Sequence, residues 1–139
     1  GELLSWLMFV ATGIGPYSGQ SVHFQAHAPE KLPYAINRYR YEAKRHYAIL
    51  DDRLATRAFI LGDDYTIVDM AVWGWARLLA RVLDDAAWDE LPHLKRMIDE
   101  IDARPAAQRA TALKDRHAFK TEMDAQAHRF MFPSNIDYT

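Results

Sequence analysis

Apolar positions recur at helical spacing over most of the chain. In residues 33–54 they advance by three or four residues and predict one long amphipathic helix. This stripe consists of Ile36, Tyr39, Ala43, Tyr47, Leu50 and Leu54. Pro92 and Pro105, each at the first position of a helical pattern, predict one helix followed by a shorter one in residues 92–113. Because no segment alternates with the period of a strand, the pattern predicts an all-α bundle of about five or six helices.

The first apolar run, residues 3–11, leaves almost no polar face. A helix with this pattern has to be covered on all sides. One side would pack on its own domain, and the other on a partner subunit or a further domain. The alternative is a central helix buried entirely within one domain. The start at Gly1-Glu2, directly before such a helix, favours a piece of a longer protein.

The segment GPYSGQSVHF, residues 15–24, departs from the helical pattern. It places glycines, a proline, two serines and a histidine between two apolar stretches. We expect the helix to break here, where the chain bends along a cleft. His23 and His27 have a spacing that would suit a metal on a helix, but no third ligand is evident. The sequence therefore predicts no metal site.

A capping box is the sharpest local motif in the chain. Thr66 precedes an apolar helix as its N-cap, and Asp69 stands three residues later. This spacing explains Asp69 better as a structural cap than as a catalytic carboxylate. Gly74, inside the helix that follows, predicts a neighbouring helix that approaches too closely for a side chain. Trp75, in the same helix, is interpreted first as a core residue.

A second stripe lies beside the core stripe of the long helix. Tyr34, Arg38, Tyr41 and Arg45 share one face at helical spacing. Two guanidinium groups and two phenols suit an anionic ligand. The alternative is a solvated flank in which Arg38 and Glu42 form an exposed pair worth about 0.3–0.5 kcal/mol. From spacing alone, this alternative is the favoured one.

Composition narrows the class of protein. The 139 residues suit one domain, and a net charge of −2 with dispersed Lys and Arg predicts no nucleic-acid partner. The absence of cysteine excludes a disulfide, a thiolate zinc site and a cysteine nucleophile within these residues. The longest apolar run is roughly half of a bilayer-spanning helix, so we predict a cytoplasmic protein with no membrane partner.

The sequence divides into a helical part and a tail. Residues 1–113 form the predicted helical domain. Residues 114–139 mix charges with aromatic side chains, among them Phe119 and Phe130, which are too many for a free tail. We expect the tail to pack on the domain or across a neighbouring cleft.

Several of these motifs together resemble a known family. The capping box of residues 66–69 after LGDDY, an apolar helix and then LPHLKRMIDEIDARPA resemble the C-terminal helical domain of the glutathione transferases. Residues 15–54 carry Gly-Pro, Gly-Gln, His-Phe, Ala-Pro and Pro-Tyr-Ala-Ile steps in series. This series is similar to the bacterial disulfide-bond oxidoreductase subgroup, the Nu-class transferases.

The resemblance implies a homodimer with glutathione as co-substrate and no metal. Each active site would lie between this domain and a thioredoxin-like N-terminal domain that is absent from this chain. That absent domain would supply the catalytic side chains, so the resemblance implies no catalytic residue here and no activity for the chain alone. The partners implied are glutathione or glutathione disulfide, together with a small disulfide or electrophile.

The resemblance also points to particular residues. Gln20 and Arg38 match the positions of the family's glutathione contacts. For Arg38, the resemblance therefore favours ligand binding over the solvated flank that spacing alone favoured. Proximity to these two makes six further residues possible pocket residues: Tyr17, His23, Phe24, Tyr34, Tyr41 and Arg45. Glutathione carries two carboxylates, which a guanidinium pairs with two parallel hydrogen bonds and an amide can orient.

Two functions of different classes follow from the sequence. The first is the helical domain of a glutathione-dependent enzyme, which supplies part of the glutathione site, the second-substrate pocket and the dimer interface for disulfide reduction or glutathione transfer. The second is a non-catalytic, transferase-like helical module for protein association. Gln20 and Arg38 favour the first, because a pure docking module has no need of them.

Overall fold

Helices account for nearly all the regular structure in a computed structural model of the chain, which describes residues 1–120 and 122–135. Within those residues the only strand-like pairing is an isolated bridge between Phe59 and Gly62. The α-helices are α1 Glu2–Phe9, α2 Gly15–Val22, α3 Pro33–Leu54, α4 Ile67–Ala76, α5 Leu79–Val82, α6 Pro92–Asp102, α7 Pro105–Ala112 and α8 Ala125–Met131. The predicted all-α bundle is confirmed. No helix in this part of the chain is long and apolar enough to span a bilayer.

The predicted break at residues 15–24 is wrong. Residues 15–22 form α2, and π-helical turns at Val10–Ile14 and His23–His27 join it to α1 and extend it. The Gly15 N–H donates to the carbonyl oxygen of Val10, five residues back. Pro16 therefore falls in the first turn of α2, where its missing N–H needs no partner. One helical run thus extends from Glu2 to His27.

Glycine marks close packing at positions 13 and 15. A Cβ atom on Gly13 would lie 2.5 Å from His46 Cδ2, and one on Gly15 would lie 3.0 Å from the Trp75 ring. The first helical run therefore packs closely against α3 and α4. The prediction for Gly74 is wrong, because a Cβ there would meet nothing within 4 Å and the residue faces outward.

The predicted stripe of α3 forms the centre of the core. Ala43, Tyr47, Leu50 and Leu54 are buried. They pack with buried side chains of α4, α5 and α6, including Val72, Leu79, Leu94, Met97 and Ile101. Asp51, also buried, accepts a hydrogen bond from the Leu94 N–H at 2.7 Å. A carboxylate of α3 thus caps α6, whose own N-cap residue, Leu91, has no side-chain acceptor.

The predicted capping box is confirmed and does more than cap a helix. Thr66 Oγ1 accepts from the Val68 N–H at 3.2 Å, and Asp69 Oδ2 accepts from the Thr66 N–H at 2.8 Å. Asp69 Oδ1 also accepts from the Ile60 N–H at 2.8 Å. Because the Asp69 side chain is fully buried, these bonds tie the loop before α4 to the start of that helix.

One face of α1 is open to solvent. Leu3, Trp6 and Leu7 pack partly against the core, whereas Leu4 is 65% exposed and Met8 is 58% exposed. No residue of α1 is buried. The alternative of a central helix buried within one domain is therefore wrong for this chain.

The described part of the tail returns to the bundle. The Asn135 side-chain amide donates to the His27 carbonyl oxygen at 3.0 Å, and the Phe132 ring stacks on the His27 ring. Phe119 and Phe130 remain exposed. Residues 136–139, the last of the predicted tail, lie outside the described residues.

Candidate functional site

A row of aromatic rings runs between α2 and α3. The centroid of Tyr17 lies 4.8 Å from that of His46 and 6.4 Å from that of Tyr39. Phe24 stacks on the other side of Tyr39, at 5.2 Å with the two planes 9° apart. His23 meets Phe24 edge to face at 5.2 Å. The structure thus brings together Tyr17, Phe24 and His23, three of the six possible pocket residues.

Gln20 lies on the exposed surface of α2. Tyr17 is three residues before it and Phe24 four after it, so the amide shares a flank of the helix with the aromatic row. Within the described residues its side chain makes no hydrogen bond. Gln25 differs, since its amide nitrogen donates to the Val82 carbonyl oxygen at 2.9 Å. Gln20 is therefore available to a ligand and Gln25 is structural.

Arg38 and Arg45 are held by one carboxylate. Arg38 Nη1 lies 2.6 Å from Glu42 Oε1, and Arg45 Nη2 and Nε lie 2.8 Å and 3.0 Å from Oε2. The expected pair between Arg38 and Glu42 forms, but only its arginine is exposed, because the Glu42 side chain is 8% exposed while both guanidinium groups are about half exposed. Hydrogen bonds and charge from Arg45 and Arg38 lower the pKa of Glu42.

This arrangement leaves Arg38 with unused donors. A guanidinium has five N–H donors in a planar fork, and Glu42 takes one from Arg38. The remaining edge faces outward from α3. A carboxylate ligand can therefore pair with Arg38 without displacing Glu42, which holds the guanidinium in place.

His46 connects the arginine pair to the aromatic row. Its Nδ1 lies 2.7 Å from the Glu42 carbonyl oxygen, and its ring packs between Tyr17 and Phe9. Sequence reasoning named Glu42 only as the partner of Arg38 on a solvated flank, and it missed His46 as part of this site. The available signals were the spacing of Glu42 from Arg38 and Arg45, and the glycine at position 13, which leaves room for the His46 ring.

Tyr34 and Tyr41 lie on the same side of α3 as the arginine pair, because this continuous helix places residues that are three, four or seven apart on one face. Both phenols are exposed. Tyr41 also lines a cavity of about 230 Å³ beside Arg40 and Asp84, which form an ion pair at 2.9 Å. The face that spacing predicted is therefore present, and Tyr41 borders this cavity.

A larger cavity, of about 530 Å³, lies between α2, the α4–α5 region and the described end of the tail. We call this end of the tail, residues 120 and 122–135, the C-terminal segment. The wall of the cavity is mostly apolar, and its polar lining residues are Ser18, His23, His27, Arg81 and Lys120. The apolar lining includes Val22, Trp75, Leu78, Met123, Met131 and Phe132. The interpretation of Trp75 as core is wrong, because 38% of it is exposed where α4 borders this cavity. We call this space the tail cavity.

Buried polar groups elsewhere are structural. The Tyr47 hydroxyl and the Ser18 hydroxyl lie 2.9 Å apart inside the core. Burial raises the pKa of Tyr47 to about 12, so its phenol stays neutral at physiological pH. No group of three or more metal-ligating side chains occurs among residues 1–120 and 122–135.

Comparisons with known proteins agree with this architecture. Residues 33–100 match the family model described as glutathione S-transferase, C-terminal domain. The disulfide-bond oxidoreductase YghU of Escherichia coli (strain K12) is 40% identical over 114 residues, which cover 78% of this chain and 39% of that protein.

Two solved structures are similar in fold as well as in sequence. The glutathione transferase URE2P6 from Phanerochaete chrysosporium, in complex with oxidized glutathione, has a TM-score of 0.77 and 32% identity over 81% of this chain and 52% of its own. A glutathione transferase from Burkholderia graminis, with two glutathione molecules bound per subunit, has a TM-score of 0.73 and 33% identity over 81% of this chain and 49% of its own.

The chain spans about half the length of these structures and less than half of YghU. The matched region includes α3, the capping box and most of α6, elements that carry much of the core. By sequence and by fold, this chain is therefore a C-terminal helical domain of the glutathione transferase family.

Proposed function

We propose that this chain is the helical half of a glutathione-dependent enzyme, in which Gln20 and Arg38 contact glutathione. The observation that carries the proposal is the half-exposed Arg38 guanidinium, fixed by a buried Glu42 and left with free donors. Charged surface side chains normally lose conformational freedom on binding a ligand, and a guanidinium already held in place loses less. The glutathione complexes of two structural relatives support the identity of the ligand.

The aromatic row and the tail cavity would receive the second substrate. Tyr17, His23 and Phe24 present ring surfaces beside Gln20, and the tail cavity adds an apolar wall with Arg81 at its edge. Such a surface suits a small, largely apolar disulfide or electrophile. Arg45 would act by sharing Glu42 with Arg38, and Tyr34 and Tyr41, which do not line the tail cavity, would flank the arginine pair on the same side of α3.

The reaction would be glutathione-dependent disulfide reduction or glutathione transfer. A thioredoxin-like domain beyond these 139 residues would supply the groups that stabilise the glutathione thiolate, the nucleophile in either reaction. The chain's own residues would orient the peptide through its carboxylates and shield the site from one side. The lack of cysteine fits a reducing compartment, and we place the enzyme in the cytoplasm.

The open face of α1 supports a further part of the proposal, the homodimer. Leu4 and Met8 lie one turn apart on that face, and apolar side chains so exposed favour association. The same observation favours the second candidate function, a non-catalytic association module. The two candidates differ in whether Arg38 binds glutathione.

Calorimetry on the full-length protein tests the proposal. We expect Arg38→Ala to weaken glutathione binding by about 1.5–3 kcal/mol, the range for hydrogen bonds to charged groups. This corresponds to about a ten- to 150-fold higher Kd. Arg109→Ala, which removes an exposed arginine from α7, is the matched control and should leave Kd unchanged. An unchanged Kd in Arg38→Ala would remove Arg38 from the site and favour the association module.

A further inference from the structure

The C-terminal segment meets the bundle through a cluster of three histidines and one phenylalanine. The centroid of Phe132 lies 4.8 Å from that of His27, 5.2 Å from that of His23 and 5.9 Å from that of His128. The His27 and His128 centroids are 5.7 Å apart. We call these four residues the histidine cluster. It joins α8 to the π-helical turn that ends the first helical run.

The environment of His27 suits a neutral imidazole. Its Nδ1 atom is shielded from solvent and has no hydrogen-bond partner among the described residues. The ionisable groups that act on it most strongly are all basic: His128 on α8, His23 on its own turn, Arg81 on α5 and Lys31 in the loop before α3. Burial, together with these charges, lowers the pKa of His27 below its ordinary value of 6.5.

Two charged groups in the described part of the C-terminal segment bear on this cluster. Asp124 accepts from Lys120 Nζ at 2.5 Å and from the Ala127 N–H at 2.9 Å, which caps α8. Arg129 borders the neighbouring cavity beside His27 and His128. A proton added to His27 or His128 therefore places a second positive charge close to the first and to these cations.

Docking of this segment also builds one wall of the tail cavity. Met123, Met131 and Phe132 line it from the segment, opposite Trp75 and Leu78 of the bundle. Apart from the histidine cluster, Asn135 supplies a single hydrogen bond, to the His27 carbonyl oxygen. Release of α8 would therefore remove that wall and open the cavity.

We propose that the histidine cluster is a proton-sensitive latch for the C-terminal segment. At neutral pH the ring contacts of Phe132 with His27 and His128 hold α8 against the bundle. In mild acid, protonation of the imidazoles sets like charges against one another, releases α8 and opens the tail cavity. The latch rests on the geometry of the segment and does not depend on the glutathione site.

The sign of the pH dependence follows from linkage. Because the pKa of docked His27 is lower than its ordinary value, the undocked state binds more protons. Docking is then strongest at pH values above 6.5 and weakens as the pH falls below it. Each titrating histidine changes the docking equilibrium by at most about tenfold per pH unit.

Hydrogen exchange of residues 125–132 in the full-length protein measures the latch directly. After correction for the intrinsic exchange rate, we expect these amides to be several-fold less protected at about pH 5.5 than at about pH 7.5. His27→Phe keeps a ring against Phe132 and cannot be protonated, so its protection should depend less on pH. His93→Phe on α6 is the control and should keep the wild-type dependence.

Two results would overturn the latch. One is equal protection of residues 125–132 at the two pH values in the wild-type protein. The other is a wild-type pH dependence in His27→Phe. If His27→Phe leaves α8 unprotected at both pH values, His128→Gln provides the same comparison from α8. A pH dependence in His128→Gln as large as in the wild-type protein would then contradict the proposal. Glutathione affinity, measured separately, does not enter any of these outcomes.

Discussion

Glu42 shows how one buried carboxylate organises a surface site. It holds two half-exposed guanidinium groups on α3, and its backbone carbonyl oxygen accepts a hydrogen bond from His46 Nδ1 at 2.7 Å. Removing both arginines would leave a buried charge unpaired, which costs more than the pairs themselves contribute. Glu42 holds Arg38 in position and, as an acceptor only, does not itself bind a ligand carboxylate.

Glu42→Gln should lower stability in a pH-dependent manner. Because Arg45 and Arg38 lower the pKa of Glu42 from its ordinary value of 4.5, its carboxylate stabilises the fold above pH 4.5. That contribution is lost as the pH falls through the lowered pKa. Urea denaturation should therefore show the variant less stable than wild type at neutral pH, with the difference shrinking below pH 4.5. Glu100→Gln, at an exposed pair with Arg96, is the control.

A constant difference between Glu42→Gln and wild type across this pH range would contradict the ion-pair account. The sequence suggested Arg38 and its neighbour at i+4, but it could not show that Glu42 is buried. Burial of a charged residue on α3 depends on the first helical run packing over it, which is a tertiary contact between residues far apart in the chain. For the same reason, the sequence did not indicate that His46 belongs to the site.

The sequence predicted the starts of helices best where a local side-chain motif determines them. Proline at helix starts located α6 and α7, and the Thr66–Asp69 spacing located the start of α4. The segment at residues 15–24 was mispredicted because the π-helical turn before it lets α2 begin at Gly15, and a proline in the first turn of an α-helix does not end the helical run. Whether a glycine marks close packing or open surface also depends on the neighbouring helix, which the sequence does not show.

A pair of glycine substitutions tests this account of the elements. Gly13→Ala would place a methyl group 2.5 Å from His46 Cδ2, and we expect it to destabilise the fold by about 1–3 kcal/mol. Gly74→Ala meets open space within α4 and should stabilise it by about 0.5–1 kcal/mol. Thermal unfolding of both variants gives the comparison. A neutral Gly13→Ala would show that the first helical run is not closely packed on α3.

At the scale of the whole molecule, the chain presents surfaces that its own core does not cover. Leu4 and Met8 on α1 are exposed on the side opposite the contacts of Trp6 and Leu7 with the core. On α4, Ile67 and Met70 are exposed as well. These apolar surfaces agree with a domain that works beside a partner subunit and a further domain, as proposed.

The dimer can be tested through α1. In the full-length protein, Leu4→Lys combined with Met8→Lys should convert a dimer to a monomer in sedimentation velocity, because each lysine places a charge in the apolar contact. Leu113→Lys changes an equally apolar exposed residue after α7 and should leave the dimer intact. A dimer that survives the double substitution would mean that this face of α1 is not the subunit contact.

The central claim is that α2 and α3 form one side of a glutathione site. A crystal structure of the full-length protein with bound glutathione tests it most directly. The account predicts a glutathione carboxylate within hydrogen-bond distance of the Arg38 guanidinium, with Glu42 still paired and the Gln20 amide in contact with the peptide. Glutathione bound with no contact to either Arg38 or Gln20 would contradict it.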